Sequence, residues 1–264
     1  MGLLRVLGIG FLALFILALA VFIAEFAGYY NQVTRPVGVR LVNDWPVGIA
    51  YEGPPTTAIA AWYCIENVNS TNGFSIQLNA LLNNGLWVQD VYAPAVSING
   101  GPWQTAFLDN VWTQSPVNGS AVFLHASNPL NTMINAPCAW LIIALRNGDV
   151  YFGYSLDGRS IVWYDSYPAN ASYITTTLGY TNIVLAGPGN GVEAQLGSGT
   201  LVYLTLYYWN GTGWVPAPVS TNANGPLDFV NHAWVFTSGK CSGVVSWPNP
   251  VNNTQCPGPP NFSP

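Results

Sequence analysis

FSIQLNALLNNGLWVQDVYAPAVSINGGPWQTAFLDNVW, residues Phe74 to Trp112, is the stretch on which the reading of the fold turns. Ser75, Gln77 and Asn79 alternate with Ile76 and Leu78, and Trp87 and Gln89 alternate with Val88. A period of two places successive side chains on opposite faces, so each segment reads as a strand with one apolar and one amide-bearing face. Asn83-Asn84-Gly85 and Asn99-Gly100-Gly101 are strong turn signals between them. Asp109 closes the stretch inside Phe107-Leu108-Asp109-Asn110-Val111-Trp112. Amides and a carboxylate among large apolar residues are costly to bury unpaired, which predicts either a hydrogen-bond network or a site. The expectation is that Gln77, Gln89 and Asp109 line one concave sheet face.

The same pattern continues outward. A meander reads from Ala139 to Arg146, Val150 to Leu156 and Ser160 to Asp165, with turns at Asn147-Gly148 and Asp157-Gly158. Thr181 to Leu185 is a further strand, and Leu201 to Trp209 with Trp214 to Pro218 forms a hairpin about Asn210-Gly211-Thr212-Gly213. A last strand lies near His232 to Phe236, and the tail after Ser246 is rich in Pro and Asn and reads as an irregular flap. Ser115 to Asn135 is the one place for a short helix in the mature chain. Short strands punctuated by turns predict an all-β fold, an antiparallel β-sandwich or jelly roll, preceded by one N-terminal hydrophobic helix.

Composition narrows the functional classes. Of 264 residues only 6% are charged, against 50% hydrophobic, far below the roughly 25% charged of an ordinary soluble domain. Such a chain is not disordered, because disorder needs low hydrophobicity and high net charge. One Lys and five Arg leave little positive charge to repel itself in acid, so acid tolerance is expected. A net charge of −5 and the absence of a basic run argue against nucleic acid as a partner.

A basic start, Met1 to Arg5, precedes the uncharged segment Val6 to Ile23. It reads as an export segment, residues 1–28, either a cleaved signal peptide or a retained membrane anchor, so any membrane contact runs through residues 6–23. The rest is then extracellular or held at the cell surface. Sequons at Asn69, Asn118, Asn170, Asn210, Asn252 and Asn261 agree with export. So do Cys64, Cys138, Cys241 and Cys256, even in number and without a C-x-x-C pair; the local-first pairing of the three possible is Cys64 with Cys138 and Cys241 with Cys256. No clustered histidines complete a zinc site, so no metal or other cofactor is expected, and His125 and His232 read as structural. Glu52, at a strand end, is a candidate acid or a solvated residue; Asp165, also at a strand end, reads as structural.

Six blocks taken together resemble the thermopsin family, exported acid endopeptidases of thermoacidophilic archaea: PVGIAYEG (Pro46 to Gly53), SIQLN (Ser75 to Asn79), WVQDV (Trp87 to Val91), FLDNVW (Phe107 to Trp112), LAGPGNG (Leu185 to Gly191) and LTLYYWNGTGW (Leu204 to Trp214). The resemblance implies hydrolysis of polypeptide substrates at low pH and high temperature without metal, by a peptidase domain over residues 29–245 followed by the tail 246–264. Two positions depart from the family pattern: Asp90, where Asn is expected, and Asp228, where Glu is expected. Metal-free acid proteolysis needs a carboxylate to activate water and a donor for the developing oxyanion. Either two carboxyls share a proton, or one carboxyl works beside a Gln amide, as in the eqolisins. The catalytic candidates are Glu193 with Gln77, or a Glu193 and Asp109 carboxyl pair; Gln89, Asn79 and Trp87 are candidates for substrate binding. Alternatives from other classes are a lectin-like surface module using its many aromatics, an inactive relative, and a structural envelope protein.

Overall fold

The structure is a computed structural model that describes residues 39–42, 45–70, 72–97, 103–113, 121–189, 192–225, 228–237, 241–251 and 256–264. The Val6 to Ile23 segment and the sequons at Asn118 and Asn252 lie outside the described residues. No helix among the described residues is long and apolar enough to cross a membrane.

Alternation of side chains produces strands almost throughout. In chain order these are β1 (Val39–Val42), β2 (Val47–Tyr51), β3 (Ala58–Asn67), β4 (Ser75–Leu82), β5 (Trp87–Ser97), β6 (Trp103–Trp112), β7 (Phe123–His125) and β8 (Cys138–Arg146). There follow β9 (Asp149–Ser155), β10 (Val162–Tyr167), β11 (Ile174–Thr175), β12 (Asn182–Ala186), β13 (Thr200–Trp209), β14 (Trp214–Pro216), β15 (Val219–Ser220), β16 (Ala233–Phe236) and β17 (Gly243–Trp247). The short helix expected between Ser115 and Asn135 is a single 3-10 turn, Pro129–Thr132, capped by the Asn128 side chain.

Two antiparallel sheets result. The first runs β1-β16-β17-β13-β3-β8-β9-β10 with β14 beside β13, and the second β15-β2-β12-β4-β5-β6-β7 with β11 beside β4. They pack face to face as a sandwich. Ile76, Leu78, Ala80 and Leu82 of β4 meet Ile59, Ala61 and Tyr63 of β3 and Leu141 and Ile143 of β8 in one apolar core. A run of aromatic rings crosses that core: Tyr63 stacks on Tyr92 at 5.1 Å, Tyr92 meets Phe107 at 5.3 Å, and Phe107 lies parallel to Tyr154 at 4.2 Å. Gly85 takes φ +90°, a conformation that only glycine adopts without strain, and its amide closes the β4–β5 turn on the Leu82 carbonyl at 2.9 Å.

Both outer faces are covered as well. On the first sheet Trp140, Tyr207 and Trp214 form a second apolar cluster sealed by Phe262 of the tail, and the Trp214 indole donates to the Phe262 carbonyl at 2.7 Å. On the second sheet Ala223 lies against Ala50, Val184 and Ala186. Two disulfides join Cys64 to Cys138, across paired β3 and β8, and Cys241 to Cys256, anchoring the tail. The expected pairing is thus the observed one.

Candidate functional site

Because Ile76, Leu78 and Ala80 turn inward, Ser75, Gln77 and Asn79 face away from the core. Register extends this face across the sheet: Asn79 stands opposite Gln89 of β5 and Asn182 of β12, and Gln89 opposite Asn110 of β6. Four amides on three adjacent strands therefore meet under the segment that covers the face. They are all buried, with Gln77 3% and Gln89 4% exposed and Asn79 and Asn182 fully enclosed.

Their hydrogen bonds form one directed chain. The Trp112 indole N–H donates to Gln89 Oε1 at 3.1 Å. An indole nitrogen can only donate, so Gln89 has to present its oxygen there and its NH2 to the other side. That NH2 donates to Gln77 Oε1 at 2.9 Å and to Asn79 Oδ1 at 3.0 Å. Both neighbours are oriented in turn. Asn79 Nδ2 donates to Asn182 Oδ1 at 2.8 Å, and Asn182 Nδ2 donates to the Gly179 and Asn224 carbonyls. Gln77 Nε2 donates to Ser75 Oγ at 2.9 Å and to Asp228 Oδ2 at 3.1 Å. The indole at one end thereby aims an amide N–H at a carboxylate at the other.

Asp228 is held by the loop that follows β12. Its backbone carbonyl accepts from the Gly187 amide at 3.2 Å, while Ser75 Oγ donates to the Gly187 carbonyl at 2.6 Å. A Cβ at Gly187 would lie 1.9 Å from the Val192 carbonyl oxygen, so only glycine lets the loop fold back here. Backbone approaches backbone closely at this position. The approach serves Asp228, which is 9% exposed, and not Glu193.

Glu193, expected beside Gln77, is half-exposed, and its backbone carbonyl accepts from Asn72 Nδ2 at 3.3 Å. No hydrogen bond among the described residues joins its carboxyl to Gln77 or Asp109. The carboxylate that meets Gln77 is Asp228, the residue whose departure from Glu was noted in the sequence. Trp87 is fully buried and donates to the Tyr180 carbonyl at 3.2 Å, so it builds the cover and offers no open stacking surface. Gln89 and Asn79, expected to bind substrate, are buried in the amide chain, where Gln89 donates to both Gln77 and Asn79. Glu52 is exposed and accepts from Ser220 Oγ at 2.6 Å.

Asp109 does not share a face with Gln77 and Gln89. It stands opposite Asp90 in the β5–β6 register, between Phe107 and Val111, and both carboxylates point into the sandwich. Asp90 is fully buried and reaches the opposite sheet, where Tyr164 donates to it from its hydroxyl at 2.6 Å and Ile142 from its backbone N–H at 2.9 Å. Two donors on two oxygens suit Asp better than Asn at this position, since an Asn NH2 would face one of them. Burial drives the Asp90 carboxyl well above its ordinary value of 3.8, against the lowering effect of those two bonds. Burial likewise pushes Asp109 up to about 7; the Ser127 bond opposes this, and the nearby Asp165 carboxylate adds to it. Asp165 and His125 act on Asp109, and no hydrogen bond or ion pair among the described residues joins it to the expected partner Glu193.

No protein family matches this chain, and no curated protein matches it. Among solved structures it is similar to the crystal structure of a functionally unknown protein from Saccharomyces cerevisiae, at 12% identity over 70% of this chain and 90% of that one, with a TM-score of 0.29.

Proposed function

We propose that this chain is an exported, metal-independent acid endopeptidase of the thermopsin type, with Asp228 and Gln77 as its working pair. The observation that carries the reading is the 3.1 Å contact from Gln77 Nε2 to Asp228 Oδ2, fixed in direction by the indole-anchored amide chain. A carboxylate beside an oriented amide is the second of the two arrangements that metal-free acid proteolysis can use. In the reaction, Asp228 takes a proton from water as the water oxygen bonds to the scissile carbonyl carbon. Once Asp228 carries the proton, the Gln77 N–H that it had accepted turns to the oxyanion of the tetrahedral intermediate. Asp228 then returns the proton to the leaving nitrogen as the C–N bond breaks, giving a carboxylic acid and an amine.

Other features support the same reading. The scarcity of Lys and Arg suits work in acid. Two disulfides are compatible with an extracellular location, and the described sequon asparagines, Asn69, Asn170, Asn210 and Asn261, are all exposed. The lectin-like alternative needs open aromatic platforms, whereas Trp140, Tyr207 and Trp214 are buried beneath the tail. Because Gln77 and Asp228 are both buried, the mechanism requires their cover to lift for a polypeptide to enter.

The test is cleavage of an unfolded protein at about pH 2 to 4, with chelator present. Asp228→Asn lowers the rate by roughly 100-fold or more, while Glu193→Gln leaves it within about 2-fold, since among the described residues no hydrogen bond joins Glu193 to Gln77. Wild-type rates in a folded Asp228→Asn variant, or no cleavage by the wild type, overturn the reading.

A further inference from the structure

Asp109 on β6, His125 on β7 and Asp165 on β10 bring one carboxylate oxygen, one imidazole nitrogen and one further carboxylate oxygen within 4.8 Å of one another. β7 is the last strand of one sheet and β10 the last strand of the other, so the cluster sits where the two sheet edges meet. We infer that this cluster is a binding site for a divalent transition-metal ion of the zinc class, stapling the two sheets together. The inference is independent of the peptidase reading, which uses other residues on the opposite face of the sheet.

Three features go beyond a gathering of acidic side chains. First, Asp109 is enclosed, its side chain wholly inaccessible, and its Oδ2 has no hydrogen-bond partner among the described residues. A buried carboxylate oxygen left unpaired is costly unless something positive meets it. That oxygen lies 3.9 Å from His125 Nε2, aimed into the cluster. Second, each carboxylate has its other oxygen tied to backbone. Asp109 Oδ1 accepts from the Ser127 N–H at 3.2 Å, and Asp165 Oδ1 from the Ser166 N–H at 2.8 Å. Each Asp therefore turns a single oriented oxygen, its Oδ2, toward the centre, the arrangement by which outer partners orient metal ligands. Third, the spacing fits. Donor atoms about 2.0–2.2 Å from a shared ion lie roughly 3–4 Å from one another; His125 to Asp109 is 3.9 Å, and His125 to Asp165 is 2.8 Å, a hydrogen bond through the same Nε2 that opens by a few tenths of an ångström when the ion replaces the shared proton.

The donor set selects the ion. An imidazole with two carboxylates favours Zn2+ and its neighbours over Mg2+ and Ca2+, which prefer all-oxygen sets. Two anionic ligands neutralise the dication. Three protein ligands leave a coordination position for water, and His125 and Asp165, 32% and 23% exposed, supply the path by which ion and water enter.

The test uses the full chain, stripped with chelator, dialysed and held near neutral pH. Calorimetric titration with Zn2+ is expected to show a single equivalent bound. At a hundred-fold excess over Kd the melting temperature rises by roughly 5–10 °C. Co2+ in place of Zn2+ gives visible d–d bands that Zn2+ displaces, whereas Mg2+ and Ca2+ leave the melting temperature unchanged. Asp109→Asn, His125→Gln and Asp165→Asn each weaken Zn2+ binding by about 10-fold or more, judged against that variant's own metal-free baseline. Should Asp109→Asn fail to fold, the other two variants, altered at half-exposed positions, carry the comparison. The proposal is overturned if Zn2+ does not bind stoichiometrically, leaving a carboxyl pair that shares a proton only. It is equally overturned if binding persists unweakened in the variants, which places the ion elsewhere. Loss of Zn2+ binding with retained acid proteolysis would leave the peptidase reading intact.

Discussion

Replacing Gln89 with Met tests the directed amide chain at its branch point. Met fills nearly the same volume, so the change removes hydrogen bonds without opening a cavity. Three groups lose their partner: Gln77 Oε1, Asn79 Oδ1 and the Trp112 indole N–H. Gln77 and Asn79 are buried and cannot turn to water, whereas Trp112 is half-exposed and can. Two orphaned buried carbonyl oxygens at about 1–3 kcal/mol each give a loss of about 4 kcal/mol. For a domain of this size that corresponds to a fall in melting temperature of roughly 8–16 °C. Urea unfolding followed by far-UV circular dichroism, with the disulfides intact, is the assay, and an unchanged m-value shows that only stability has moved. Trp112→Phe orphans the Gln89 oxygen and is expected to lose about 1–2 kcal/mol alone, but almost nothing further in the Gln89→Met background. A loss below about 1 kcal/mol for Gln89→Met, or strict additivity of the two changes, refutes the reasoning. Gln89→Met also frees Gln77 to rotate its amide, so acid proteolysis should fall even at temperatures where the variant remains folded.

Two further outcomes follow, one from the interior and one from an outer face. Asp90 has a folded-state value raised well above its ordinary 3.8, so the folded protein holds this proton more tightly than the unfolded chain. Its contribution is full below pH 3.8 and is lost as pH rises through the raised value. In melting experiments with chelator present, the wild type gains up to about 1.4 kcal/mol per pH unit on acidification within that window. Asp90→Asn should reduce this slope, and an unchanged slope would assign the effect to other groups. On the outer face, Phe262→Ala removes a ring packed 5.8 Å from Trp214 and 6.3 Å from Trp140. A loss of about 3 kcal/mol is expected, with a red-shifted, more quenchable tryptophan emission; unchanged emission would mean that the tail does not seal those indoles.

The Phe74 to Trp112 stretch declared its strands and its amide face because Ser75, Gln77 and Asn79 keep strict alternation with apolar neighbours. Asp109 lies on the opposite face from the one expected, although the cue is present in the sequence. It shares parity with Phe107 and Val111, which face the core, while Asn110 shares parity with Leu108 and Trp112. Counting in twos also turns Asp90 inward, between Val88 and Tyr92. The partners that complete each cluster were not legible. Asp228 reaches Gln77 across 151 residues, and Asp165 meets His125 across the junction of two sheets. Such neighbours depend on strand order, which alternation along one strand does not encode. The structure departs from the Glu193 expectation for a related reason: nothing local in the sequence encodes that the Gly187 backbone holds Asp228. β17 (Gly243–Trp247) was hidden because its apolar run merges into the Pro- and Asn-rich tail.

The reach of Asp90 across the sandwich bears on how two sheets find a single alignment. Apolar faces attract without direction, so one sheet could slide or rotate over the other by a residue at little expense in buried area. A carboxyl that must meet both the Tyr164 hydroxyl and the Ile142 N–H admits one displacement only, since moving by a residue strands all three groups. Asp90 thus acts as a vernier mark between the sheets, settling which of several nearly equivalent stackings the chain adopts.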